Sequence, residues 1–249
     1  MKTQNPEFKM EESQYDAIMA RFDSEGNNSA QKLRPGDELL VINVQGRFKN
    51  GRENEAFLNS VIRAVEAMQE KGCKLYEIHL CLDKRRAADF MVHHIWTSEE
   101  EYKESLMSTR VQQLIRDSIA PESPYNGWIP SLWKMQNNAI GEPFDQRSFK
   151  AFTVTIYTRA KPGHHEEYGQ MLFKAEQYAR LEPGCVTYDL NVGRGDDNVF
   201  SFLIYSVFRN RTDYTHHLSQ PYCIFSPSCL SMAEATPQVS TWRRADFPL

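Results

Sequence analysis

The sequence has no run of about 20 apolar residues, the length a membrane-spanning helix needs, and its mean hydropathy is -0.59. Its opening stretch, Met1-Lys-Thr-Gln-Asn-Pro-Glu-Phe, lacks an apolar core, so no secretory signal is expected. A basic surplus is missing as well: 29 Lys+Arg stand against 33 Asp+Glu, for a net charge of -4. Nucleic acid is therefore not an expected partner, and nor is a membrane. The short basic cluster Lys84-Arg85-Arg86 reads as a solvated hairpin turn. The five cysteines (Cys73, Cys81, Cys185, Cys223 and Cys229) form no Cys-x-x-Cys. That usage predicts reduced, packed thiols and a cytoplasmic location.

Several catalytic signatures are also lacking. There is no nucleophile elbow or P-loop, and Gly193-Arg-Gly195 has neither the later glycine nor the helix start of a dinucleotide fingerprint. Three histidine pairs occur: His93-His94, His164-His165 and His216-His217. Adjacent side chains point oppositely on a strand and diverge by about 100° on a helix, so no pair chelates by itself. No carboxylate or cysteine sits at ligand spacing around them, and no metal is expected.

What the sequence does contain is a repeat. Shifted by 112 residues (Gly72 to Gly184), Lys49-Asn-Gly51 falls on Lys161-Pro-Gly163, and Gly72-Cys73-x-x-Tyr76-Glu77 on Gly184-Cys185-x-x-Tyr188-Asp189. Phe90 then meets Phe202, Trp96 meets Phe208, Tyr102 meets Tyr214, and Leu106 meets Leu218. A constant offset through separate motifs means two homologous domains. Each begins with a β-branched run (39–44, 152–157) and a Lys-x-Gly turn. Apolar residues at helical spacing follow: Phe57, Val61, Ala64, Val65 and Met68 in one copy, and Tyr168, Met171, Leu172, Ala175 and Ala179 in the other. Glycine ends that helix. Strands start at Cys73 and Cys185, and third strands cover 90–96 and 200–208. A second helix opens on the capping sequence Ser98-Glu-Glu-Glu101, and short strands at 128–135 and 239–243 close the copies.

The order β-α-β-β-α-β is that of a ferredoxin-like unit. The expected class is α+β, with two tandem units pairing their antiparallel sheets into a pseudo-twofold α+β barrel. The expected division is an arm (1–36), a first domain (37–136), a linker (137–150) and a second domain (151–249).

Lys161-Pro-Gly163, Glu182-Pro-Gly-Cys185-Val-Thr-Tyr188 and His217, with Gly72-Cys73 and Ile95-Trp96-Thr-Ser98-Glu-Glu-Glu-Tyr102 in the first copy, resemble the antibiotic-biosynthesis-monooxygenase family. The resemblance covers about residues 38–245. It implies dimeric α+β barrels, here imitated by one tandem chain that could itself form a homodimer. It also implies oxygenases that turn anthrone- or hydroquinone-like polyketides into quinones with dioxygen and no cofactor. Other members of the family degrade haem, isomerise or cleave small molecules, or have no known activity. The positions of the haem-degrading branch hold Ser105 and Ile115 in one copy and His217 and Pro227 in the other, which fits poorly.

Alternation along the third strand puts Phe90, Val92, His94 and Trp96 on one face. In the quinone-forming branch the polar groups of the cavity are a strand Trp, a Tyr six residues on and an Arg twenty residues on. Trp96, Tyr102 and Arg116 match those spacings, while Val92 stands where that branch has Asn. His94 is then expected as general base, Trp96 and Arg116 as oxyanion stabilisers and Tyr102 as an orienting group. Phe90, Val92, Tyr214 and His217 are expected to touch a small aromatic substrate. The first copy is expected to hold the main site. Two other readings stay open: an isomerase, cyclase or lyase, and a ligand-binding barrel in which Trp96 and Tyr102 only pack.

Overall fold

A computed structural model of the chain describes residues 39–120, 131–135, 151–193 and 201–244. The expected arm (1–36) and linker (137–150) lie outside the described residues. The chain divides into two compact units, with residues 39–120 in the first and Leu132–Arg244 in the second. The second unit has the ferredoxin-like order anticipated from the repeat; the first follows it through its helices, while the strand expected to close it falls in the second unit, and the class is α+β.

In the first unit, β1 (Leu40–Arg47), α1 (Glu53–Ala67), β2 (Cys73–Cys81), β3 (Asp89–Trp96), α2 (Glu99–Met107) and α3 (Thr109–Ser118) follow in order. Lys84–Arg86 forms a 3-10 turn between β2 and β3, where the hairpin loop was expected. The sheet runs β1-β3-β2 and is antiparallel throughout. Central β3 is buried along its whole length. Its register sets Leu40 opposite Trp96, Ile42 opposite His94 and Val44 opposite Val92. Helix α1 buries Ala56, Phe57, Ser60, Val61, Arg63 and Ala67, a stripe at helical spacing that includes one charge. Ser98 caps α2 through its hydroxyl, which accepts from the Glu101 N–H at 3.2 Å, as the capping sequence predicts.

The second unit comprises β4 (Ser131–Met135, of which Ser131 falls with the first unit), β5 (Phe152–Arg159), α4 (His165–Ala179), β6 (Cys185–Gly193), β7 (Ser201–Phe208), α5 (Arg211–Leu218), α6 (Pro227–Met232) and β8 (Gln238–Arg244). Its strand order is β8-β5-β7-β6-β4, again antiparallel. The strand expected at 128–135 is seen at Ser131–Met135, with Trp133 opposite Gly193 of β6; residues 128–130 are outside the described residues. Val154, Ile156, Tyr168, Leu172, Leu190, Ile204 and Phe208 make its core. Among the described residues no helix is long and apolar enough to cross a membrane.

Both second strands carry a register shift at the same place, between Cys73 and Leu75 in β2 and between Cys185 and Thr187 in β6. Such an irregularity adds one residue to one strand and resets which side chains share a face beyond it. Because of it, Tyr76 lies opposite His94 and Tyr188 opposite Ser206.

Gly72 enters β2 with φ +86°, and an added Cβ would run into the Glu101 carboxylate and come within 2.9 Å of Thr97 Oγ1. Gly72→Ala should therefore lose about 1–3 kcal/mol of stability in urea denaturation. Wild-type stability in that variant would show that this turn carries no such constraint.

Candidate functional site

On β3, residues two apart share a face, and Trp96 Nε1–H donates to His94 Nδ1 at 2.8 Å. Both side chains are buried. An imidazole that accepts at Nδ1 carries its proton on Nε2 when neutral. Burial holds the His94 pKa well below its ordinary value, and the charges of His93 and Arg63 act in the same direction. His94 therefore presents an N–H, and its Nε2 is buried with no hydrogen-bond partner. Tyr102, on the first turn of α2, sets its ring 5.5 Å from His94 and 6.0 Å from Trp96. Its Oη is also buried with no hydrogen-bond partner, and burial raises its pKa, so it remains a phenol. The cluster thus combines two neutral donors with apolar walls.

Behind it stands a charge. The Tyr76 ring lies 4.8 Å from His94, and burial pushes its pKa up to about 12. The Arg63 guanidinium sits 5.8 Å from the Tyr76 ring centroid. Arg63 is buried on α1, with Nη2 donating to Glu70 Oε2 at 3.0 Å and to Ser105 Oγ at 2.5 Å.

Two expectations need correction. Arg116 does not join the cluster. Counting along one helix from Tyr102 fails because Ser108 adopts extended backbone (φ -60°, ψ 135°), and its hydroxyl caps a new helix at Val111 N–H. Arg116 is exposed on that helix, α3, and its carbonyl accepts from Lys49 Nζ. His94, expected as a base, has its basic nitrogen engaged by Trp96 and offers a donor instead. Of the wall residues, Val92 is buried on the same face, whereas Phe90 stacks on Phe48 at 4.4 Å near the other end of β3.

The second unit builds a different centre on the same frame. His217, from α5, is buried, and its Nδ1 lies 2.7 Å from Glu182 Oε1. Tyr222 Oη donates to that same oxygen at 2.8 Å. Around the imidazole stand Phe208 at 5.3 Å, Tyr188 at 5.4 Å and Tyr214 at 6.5 Å between centroids. With Nδ1–H aimed at a carboxylate, neutral His217 keeps its lone pair on Nε2. His217 Nε2 and Tyr188 Oη are both buried with no hydrogen-bond partner, and burial raises the Tyr188 pKa well above the usual phenol value.

The two repeats share Glu70/Glu182, Tyr76/Tyr188 and Tyr102/Tyr214 at the 112-residue offset. They differ at Arg63/Ala175, His94/Ser206, Trp96/Phe208 and Ser105/His217. In the first unit the Arg63 guanidinium binds Glu70 and Ser105, the residues that correspond to the Glu182–His217 pair.

Residues 40–117 and 151–224 each match the model of the antibiotic biosynthesis monooxygenase family. The chain belongs to this family. Uncharacterized protein sll1783 of Synechocystis sp. is 34% identical over 64 residues, which are 26% of this chain. The match spans 42% of the length of that curated relative. A solved structure from Fusobacterium nucleatum, provisionally named a monooxygenase, covers 85% of this chain and 94% of its own at 12% identity, with a TM-score of 0.67. An anthrone oxidase-like protein covers 85% and 93% at 12% identity, with a TM-score of 0.58. At that identity both show the fold alone.

For this family member, sequence reasoning missed Arg63, Glu70, Tyr76, Glu182 and Tyr222. Arg63 was detectable, since it falls on the Ala56-Ser60-Arg63-Ala67 stripe that α1 buries. Among the described residues no group of three or more His, Cys, Asp or Glu side chains is placed to hold a metal ion. The five cysteines are free, and burial pushes the Cys73 and Cys185 thiols up to about 12.

Proposed function

We propose that this chain is a cofactor-independent monooxygenase that converts an electron-rich, polyketide-like phenol or anthrone to a quinone at the His94–Trp96–Tyr102 cluster. The observation that carries the reading is the Trp96-to-His94 hydrogen bond. It fixes the imidazole so that His94 N–H and Tyr102 O–H act together as donors in dry surroundings. Donors that bind the charged form of a weak acid lower its pKa. The substrate binds as its anion and its proton leaves to solvent. The anion passes one electron to dioxygen, and the two radicals combine into a peroxide. Loss of water then leaves a carbonyl, so one CH2 and one O2 give one C=O and one H2O. The donors, with the Arg63 charge behind Tyr76, stabilise negative charge first on the substrate and then on the peroxide. Val92 supplies apolar wall.

The test is dioxygen uptake by the metal-stripped protein with anthrones, which carry the CH2 that the step oxidises, beside Trp96→Phe. The second repeat already holds Phe208 at that position, so the variant should fold. Quinone should form, and kcat should fall about 100-fold in the variant, the scale of losing one preorganised donor arrangement. Absent uptake, or an unchanged rate in the variant, removes the proposal.

A further inference from the structure

We propose that the second repeat carries a proton-transfer centre of its own, in which His217 removes the hydrogen beside the carbonyl of an enolisable aryl ketone and Tyr188 holds the oxygen that becomes charged. Three observations carry this. His217 Nδ1 is tied to Glu182 Oε1 at 2.7 Å, and Tyr222 anchors the same oxygen at 2.8 Å, so the carboxylate is fixed from two sides. The imidazole is almost wholly buried, at 1% exposure, with Nε2 unpartnered. The Tyr188 ring lies 5.4 Å away, and its hydroxyl is equally buried and unpartnered. Buried polar atoms left without a partner are each unfavourable unless a polar group joins them. A base and a hydroxyl donor that both lack protein partners, on neighbouring rings of one aromatic cluster, suit a ligand that offers an acidic C–H next to a carbonyl.

The step balances without an oxidant. The C–H bond breaks, its proton goes to His217 Nε2, and its electron pair becomes the C=C of an enolate whose oxygen accepts from Tyr188 O–H. Glu182 stabilises the resulting imidazolium, and return of the proton to a different atom of the enolate yields a tautomer. Phe208 and Tyr214 flank the ring and suit an aromatic ligand. This centre is independent of the oxygenation assigned to the first repeat.

The experiment follows deuterium entry into 2-tetralone by NMR, with the full chain in deuterated buffer under argon. Excluding dioxygen keeps the outcome separate from that of the oxygenase reading. Wild type should exchange well above buffer, and His217→Ser, which places there the residue the first repeat has at Ser105, should lose at least about 100-fold. Glu182 is a positioning residue, and Glu182→Gln should lower kcat more than it changes KM. It should also alter the tautomer of His217 seen by 15N NMR, which loss of packing alone would not do. Wild-type exchange no faster than buffer, or undiminished exchange in His217→Ser, overturns the proposal. So does a wild-type 15N spectrum with the neutral His217 proton on Nε2, a measurement that needs no variant to fold.

Discussion

Replacing Arg180 by Met should cost the second unit about 3–5 kcal/mol, the usual penalty for stranding buried charge. Arg180 follows α4, and its Nη2 reaches Glu176 Oε1 at 3.0 Å and Asp189 Oδ1 at 2.7 Å while Nε donates to the Tyr188 carbonyl at 2.8 Å. Glu176 and Asp189 are both buried, at 0% and 3% exposure. Burial already raises the Glu176 pKa above its ordinary 4.5, opposed by Arg180. Without the guanidinium it rises further. A carboxylate whose folded pKa exceeds its unfolded value is penalised once it must ionise, so the deficit is full above the raised folded pKa, shrinks as pH falls through it and is gone below about 4.5. Urea denaturation of wild type and variant, compared at pH 7 and again at pH 4, measures this. A loss under about 1 kcal/mol, or an equal loss at both values, would show that the buried carboxylates do not depend on Arg180.

Mild acid should weaken the first unit by a similar amount. Burial lowers the His93 pKa to about 3 and holds His94 well below its usual 6.5. Unfolded, both rings take a proton below about 6.5; folded, they stay neutral. Stability is therefore complete above that pH and falls as pH drops through it, by about 1.4 kcal/mol per unit for each histidine. For His93 that reaches about 2–3 kcal/mol between pH 6.5 and 4.5, and His94 adds to it in the same direction, a large part of the stability of a marginal domain. His94→Ser, which copies Ser206 of the second repeat, should remove about half of that slope. Denaturation midpoints that do not move between pH 7 and 4.5 would contradict the burial of neutral imidazoles.

The fold was legible because its signals are periodic. The 112-residue offset, the helical stripes after each Lys-x-Gly and the Ser98 cap are local patterns, and each element appears where they put it. The site was legible only in part. Spacing along β3 placed His94 beside Trp96, yet it said nothing of which nitrogen holds the proton, because a tautomer is decided by a hydrogen bond. Arg116 was misplaced because Ser108 serves both as an extended break and as a cap, and a polar residue in a helical pattern does not announce that role. Tyr76 escaped notice since alternation from Cys73 gives it the wrong parity until the register shift is known. The Glu182–His217 pair joins residues 35 apart in sequence, a long-range contact no local pattern encodes.

That register shift also separates what the two copies hold in common from what they do not. It sits at the same offset in both strands and sets a tyrosine opposite the corresponding residue of the third strand in each. The glutamates and paired tyrosines match across the copies with it. Arg63, His94 and Trp96 in one copy, and His217 in the other, are where they part. The chain thus repeats one Glu–Tyr–Tyr arrangement, with a buried arginine, histidine and tryptophan set around it in one copy and a buried histidine in the other.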